Sequence, residues 1–311
     1  MMVSLALLLL GALAAVAAPR LLSRAEWPER EPVVALWVWQ CVVAAVLLSF
    51  ALSMTFSAAA AWQAVRGHVF APAPHGVMEA YSLGANRPWS AVLAVVLASG
   101  GLWTAAMLTR EIHRARRRRR TRRAALLVRS PALPGEKAGC DPLVVLESER
   151  SDAWWLSGAA PQLVVTTAAL RRLKGRQLDA VLAHEQGHAR ARHDWLLHCS
   201  GALANGFPQV PVFAAFRDEM HRLVELAADD AASRRFGRRT IALALVELNE
   251  DRGVFGPGTA PDAQLPRRVS RLLSPVERLT AGRRLRLTAA ATLVPVVPLL
   301  IAFVPALRAL G

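Results

Sequence analysis

Within Leu178-Asp179-Ala180-Val181-Leu182-Ala183-His184-Glu185-Gln186-Gly187-His188-Ala189-Arg190, two histidines stand four positions apart with an acid directly after the first. Leu178, Val181, Leu182 and the small Ala189 recur with the period of a helix. Positions four apart on a helix lie nearly above one another. His184 and His188 therefore present two imidazoles on one face, at a spacing that suits a single tetrahedral zinc ion. Glu185, beside the first ligand, can take a proton from a water that the metal acidifies, while the metal polarises a scissile carbonyl. H-E-x-x-H arises by chance in many chains. Here the helical context and the uncharged stretch Ala180 to Ala183, suited to burial beside a site, add weight.

Such a site needs a third protein ligand and an open fourth position. Asp194, six residues after His188, matches extended motifs that turn sharply at a glycine. The residue three after His188 is Ala191, so the helix is expected to continue through Arg192, leaving Asp194 to cap or orient. Glu225 is the better candidate. It lies in Leu223-Val224-Glu225-Leu226-Ala227-Ala228-Asp229-Asp230, which reads as part of a second helix from about Phe216 to Arg235. Glu225 and Asp229 share a face of it, so Glu225 can bind the metal while Asp229 accepts the free ring N–H of a ligand histidine and fixes its tautomer. Unpaired carboxylates in so Ala/Leu-rich a stretch would be costly.

The elements that must hold these residues belong to a chain of 311 residues that is 54% hydrophobic and 20% charged. Four stretches are long enough to cross a bilayer, which takes about 20 apolar residues: Met2 to Pro19, Val33 to Val65, Trp89 to Thr109, and Leu287 to Leu307, the last expected to kink at its prolines. Ala15-Val16-Ala17 resembles a signal-peptide cleavage site, but Met1-Met2-Val3-Ser4 carries no base, which favours a retained span. The net charge of +15 is almost wholly arginine. Its densest run, Arg110 to Arg123, abuts the third span and reads as a cytoplasmic topology anchor on anionic lipid rather than as a nucleic-acid arm. That orientation puts residues 110–286 in the cytoplasm and both termini outside. The domains expected are 1–109 with three spans, 110–286 with the zinc site, and 287–311 with the fourth span. The three cysteines (Cys41, Cys140, Cys199) show no C-x-x-C spacing, so neither a disulfide framework nor a cysteine metal site is indicated.

His184-Glu185-x-x-His188 followed by Glu225-x-x-Ala228-Asp229 resembles the gluzincin membrane proteases. These include the prenyl-protein and heat-shock membrane peptidases and the peptidases of the beta-lactam-sensing transmembrane regulators. His193, five after His188, is a common feature there. The span layout favours the sensor branch, without the extracellular penicillin-binding domain that the sensors carry. The resemblance implies a mostly helical membrane protein with a small α+β zinc domain inserted between the third and fourth transmembrane helices, one zinc ion as cofactor, and peptide-bond hydrolysis. It also implies a protein substrate, for example a transcriptional repressor, or self-cleavage. In that group the stretch Ala153 to Leu170 supplies an edge strand, a turn and a second strand leading to the metal helix. An edge strand suits a protease, which holds its substrate extended by main-chain pairing. Ala153, Trp154, Trp155 and Leu156 are the candidate substrate strand, with both tryptophans read as core or membrane-surface aromatics before substrate contacts. Arg268 is read as surface charge ahead of a transition-state role, and His198 and His221 as structural. A quality-control protease acting on membrane proteins and a catalytically silent membrane scaffold are the rival readings. DNA binding ranks last.

Overall fold

The computed structural model describes residues 2–66, parts of 92–121, and 143–156, 162–249, 264–274 and 277–310. Two apolar helices lead, α1 (Met2–Ser23) and α3 (Pro32–Arg66), joined through the short α2 (Trp27–Arg30). Three strands follow: β1 (Leu143–Leu146), β2 (Ala153–Leu156) and β3 (Gln162–Thr166). Then come α4 (Thr167–Arg172), α5 (Arg176–Arg190), α6 (His193–Gly206), α7 (Pro211–Phe236), α8 (Arg238–Asn249), α9 (Gln264–Leu273), α10 (Ala281–Leu293) and α11 (Val296–Leu310).

The sheet has the order β1-β3-β2, with β1 parallel and β2 antiparallel to β3. β3 is the central strand, and its run Leu163-Val164-Val165-Thr166 is buried throughout, as expected of a strand covered on both faces. β2 forms at the expected residues and lies at the sheet edge. The backbone N–H of Thr166 donates to Asp152 O. Hydrogen bonding across an antiparallel pair alternates, so the main-chain groups of Ala153 and Trp155 turn outward, away from β3. Thr166 caps α4, its hydroxyl accepting from Ala169 N at 3.2 Å.

α7 is the central helix. Its buried Val212, Phe213, Phe216, Met220, Leu223 and Val224 share one core with Leu36, Trp39, Val43 and Val46 of α3 and with Leu196 and Leu203 of α6. The apolar N-terminal helices are thus packed into the helix that carries Glu225 and Asp229. A second core joins α5, α7, α8 and α9, and a third joins β3, α4, α5 and α8. α7 starts at Pro211, earlier than the expected Phe216, because proline suits a first helical position where its missing N–H is not needed. It stops at Gly237, whose φ of +85° ends the helical path.

Among the described residues, Met2–Ser23 and Pro32–Ala59 are long and apolar enough to cross a membrane. α10 and α11 together pass as a third span bent by 45° at their junction, where Pro295 interrupts the expected fourth stretch. α10 continues through the expected 286/287 boundary. The expected third span lies largely outside the described residues; those described between 92 and 109 are helical. Leu5, Leu9 and Leu13 of α1 and Leu300, Phe303 and Leu307 of α11 are exposed, an apolar surface fit for lipid.

One local expectation is overturned. α5 does not run on through Arg192 but ends at Arg190. Arg192 then takes a left-handed conformation (φ +52°), and α6 begins at His193. A non-glycine residue there costs about 1–2 kcal/mol. The turn lays α6 against α7, where Leu196 and Leu203 become buried, and packing outweighs the local cost.

Candidate metal centre

α5 brings His184 and His188 side by side, and α7 crosses it so that Glu225 faces both. His184 Nε2 lies 3.2 Å from His188 Nε2, and Glu225 lies 3.6 Å from the first (Oε2) and 3.4 Å from the second (Oε1). Zinc bonds of about 2.0–2.1 Å in a tetrahedron put neighbouring ligand atoms about 3.3–3.4 Å apart. The three side chains fit one zinc ion, and among the described residues they form the one cluster of this kind. Close approach of α5 to α7 is helped by small residues, with Gly187 opposite Ala228 and Ala231.

Around these three atoms the surroundings divide. Asp229, fully buried one turn after Glu225, lies with Oδ1 3.1 Å from His184 Nδ1. Arg268 reaches in from α9 and donates through Nε to Asp229 Oδ2 (2.8 Å) and through Nη2 to Asp229 Oδ1 (2.7 Å). Its Nη1 lies 2.7 Å from Glu225 Oε2. The fork geometry of a guanidinium suits this double grip. Arg268 is therefore not the surface charge that the sequence suggested; only 13% of its side chain is exposed. Buried Asp229 and half-buried Glu225 on α7 call for a counter-charge, since an unpaired buried carboxylate is costly. That demand, together with a late amphipathic helix presenting Arg268 and Arg271, is the signal that could have identified it. Arg271, one turn on, binds Asp230 through both Nη atoms and donates through Nε to Glu29 O in the connector between α1 and α3.

On the other side, His193 Nδ1 lies 3.0 Å from His188 Nδ1. With His188 Nε2 turned to the metal position, its Nδ1 carries the proton and donates to His193, which orients the ring. The sequence marked His193 only as a recurring feature; the left-handed turn at Arg192 is what swings it back onto His188. Asp194 stays outside the cluster, with its carboxylate 3.3 Å from His198 Nδ1. His198 Nδ1 also contacts Asp194 O at 2.6 Å.

Protonation follows these surroundings. Burial opposes charge on His184, yet hydrogen bonds to Asp229 and Glu225 raise its pKa to about 10. Burial lowers His188 to about 4 and His193 to about 4. Burial works against ionised Glu225, but the His184 hydrogen bond and Arg268 hold its carboxyl well below the usual range. Glu185 is raised, chiefly by burial, to about 7. Its Oε2 accepts from the outward-turned Trp155 N–H at 3.1 Å, so the sheet edge and the acid meet beside the cluster.

Two cavities adjoin the centre. One of about 970 Å³ runs from Trp155, His188 and His193 to Val33, Trp37 and Arg284 on α3 and α10. The other, of about 160 Å³, lies between His184, Glu185, Glu225, Arg268 and the apolar face of α8.

Compared with known proteins, residues 112–276 match the model of peptidase family M48. That stretch holds the cluster, Glu185, the sheet edge and Arg268. No curated protein and no solved structure matches the chain.

Proposed function

The chain belongs to peptidase family M48 and is a zinc metalloendopeptidase; we propose that it cuts protein segments held beside the membrane. His184, His188 and Glu225 hold the metal, and Glu185 moves the proton. The observation that carries the reading is the set of 3.2, 3.4 and 3.6 Å separations among three ligand atoms from two helices, with the Glu185 carboxylate turned to the sheet edge.

Zinc bound there supplies Lewis acidity toward the scissile carbonyl and toward the attacking water. The chain does the rest. A substrate strand pairs with the outward main-chain groups of Ala153 and with the outward Trp155 carbonyl, the Trp155 N–H being held by Glu185, which sets the substrate's scissile carbonyl beside Glu185. Glu185 takes the proton of the attacking water and returns it to the leaving amine. Asp229 holds the His184 ring, His193 holds the His188 ring, and Arg268 holds both Glu225 and Asp229. Trp154 and Leu156 turn their main chain to β3 and are not the pairing groups.

The larger cavity supports a membrane-proximal substrate, because its far wall is formed by the start of apolar α3 and by α10. The arginine run after residue 109 supports a cytoplasmic placement of 110–286 with both termini outside. A narrower signalling reading, cleavage of a cytoplasmic repressor as in the sensor-regulator peptidases, rests on span layout alone. Comparing the proteomes of cells with wild type and with Glu185→Ala tests these readings. Peptide cuts present only with wild type support the protease. A single cut cytoplasmic protein supports the repressor reading, and fragments of many membrane proteins support quality control. Identical proteomes, with zinc retained in both, would favour the silent scaffold.

A further inference from the structure

The larger cavity, of about 970 Å³, joins the metal centre to the membrane helices. Its far wall is made where two apolar helices begin, by Val33 and Trp37 of α3 and by Arg284 and Thr288 of α10. No charged residue follows Glu31 until Arg66, and none follows Arg286 until Arg308. These wall residues therefore stand at the level where the membrane surface begins. Trp37 and Trp195, 42% and 63% exposed, line the same space, and tryptophan favours that level. The Trp37 indole N–H donates to Thr292 Oγ1 at 3.1 Å and fastens α3 to α10. Three arginines from three elements reach the cavity: Arg192 from the turn before α6, Arg234 from the last turn of α7 and Arg284 from the first turn of α10. Against them stands one acid among the described lining residues, Asp194, and its carboxylate lies 3.3 Å from His198 Nδ1. Among the described residues Arg192 and Arg234 have no acid partner, and Arg284 has Glu31 alone, with Nε 3.5 Å from Oε2.

We propose that this cavity binds the headgroup of an anionic phospholipid, its phosphate held by Arg192, Arg234 and Arg284 and the start of its acyl chains lying along Val33 and Trp37. Charge is the first argument. The lining carries more guanidinium than carboxylate, guanidinium forks match phosphate oxygens, and basic pockets between membrane helices suit anionic headgroups. Size is the second: small-molecule sites reach about 1,000 Å³, so a headgroup with its glycerol backbone fits. Polarity is the third. A free phosphate would use the arginines only, whereas a lipid also covers the exposed apolar residues at the start of α3. A lipid held there would tie Arg192, which precedes the His193 that orients His188, and the end of α7 to the membrane surface. The metal centre would thus be kept at the bilayer. The inference concerns binding and stands apart from the peptidase reading.

The test is binding of dioctanoyl phosphatidylglycerol to the full chain in a neutral detergent, measured by native mass spectrometry. Dioctanoyl phosphatidylcholine and inorganic phosphate serve as comparison arms, and thermal unfolding without lipid checks that each variant is folded. Wild type is expected to prefer phosphatidylglycerol. A charge near the membrane surface contributes about 1 kcal/mol, or about fivefold in affinity. The double variant Arg192→Gln/Arg234→Gln should therefore weaken phosphatidylglycerol binding about 25-fold and Arg284→Gln about fivefold. The pair Arg20→Gln/Arg24→Gln, exposed at the end of α1 and outside the cavity, should leave it unchanged. If one cavity variant fails to fold, the other decides. Equal affinity for the two lipids, or an equal loss in the cavity and α1 variants, overturns the site in favour of diffuse surface charge. Inorganic phosphate that displaces the lipid at equal concentration overturns the lipid assignment in favour of a soluble phosphate ligand.

Discussion

His184 and His188 are one helical turn apart and face one metal position, yet they are supported in opposite ways. His184 backs onto a closed ring of charge, with Asp229 behind it, Arg268 across both acids and Glu225 alongside. His188 backs onto a neutral imidazole, His193, at the wall of the open cavity. The acids beside His184 favour its charged form, whereas burial favours the neutral form of His188. The difference teaches how such a site divides its tasks. Buried opposite charges fix the geometry of His184, and Arg268 reaches from them to the half-buried Glu225. The ligand beside the entrance is oriented without charge, so the cavity a peptide must enter carries no buried ion that needs a partner.

The comparison can be broken most completely by removing what both sides serve. Stripping zinc with a chelator should reduce cleavage to background in a peptide assay, and adding zinc back should restore it, because three side chains alone cannot polarise the carbonyl. The next largest effect is expected on the charged side. Arg268→Ala removes the guanidinium from buried Asp229 and half-buried Glu225 and should destabilise the fold by about 3–5 kcal/mol in denaturant unfolding. Arg268→Lys should not restore it, since an ammonium cannot reproduce the fork. On the neutral side, His193→Ala should weaken zinc affinity by about 10–100-fold in competition with a chelator, with a smaller loss of stability than Arg268→Ala. If the two variants reverse that order, the proposed division between a charged and a neutral side fails. Smallest is Arg222→Ala at the connector. Its contact to the exposed Glu29 and its half-buried i,i+3 pair with Glu219 should together cost about 1 kcal/mol, with cleavage unchanged.

Much of this centre could be read before any coordinates. Glu225 and Asp229 on a common face and His184 and His188 on another follow from local period, the strand at Ala153 to Leu156 was implied by the family resemblance, and the family match covers the stretch that contains them. Arg268 was misjudged because a charge on a short amphipathic helix looks solvated until its partners are known, and those partners lie 39 positions earlier for Asp229. The turn at Arg192 was missed for a related reason. No glycine marks it, and only the burial of α6 against α7 makes a left-handed arginine tolerable.

The sequence by itself determined the chemistry available: which ligands exist, which pairs share a helix face, and which helices are apolar enough for a membrane. Those are consequences of helical and strand periods, which act over a few residues. Tertiary structure alone decided that two faces would meet with ligand atoms 3.2 to 3.6 Å apart, that Arg268 would be buried there, and that a pocket of about 160 Å³ would lie beside them. Those depend on how α5, α7, α8 and α9 pack together, and packing at that scale is a property of the whole core, not of any segment in it.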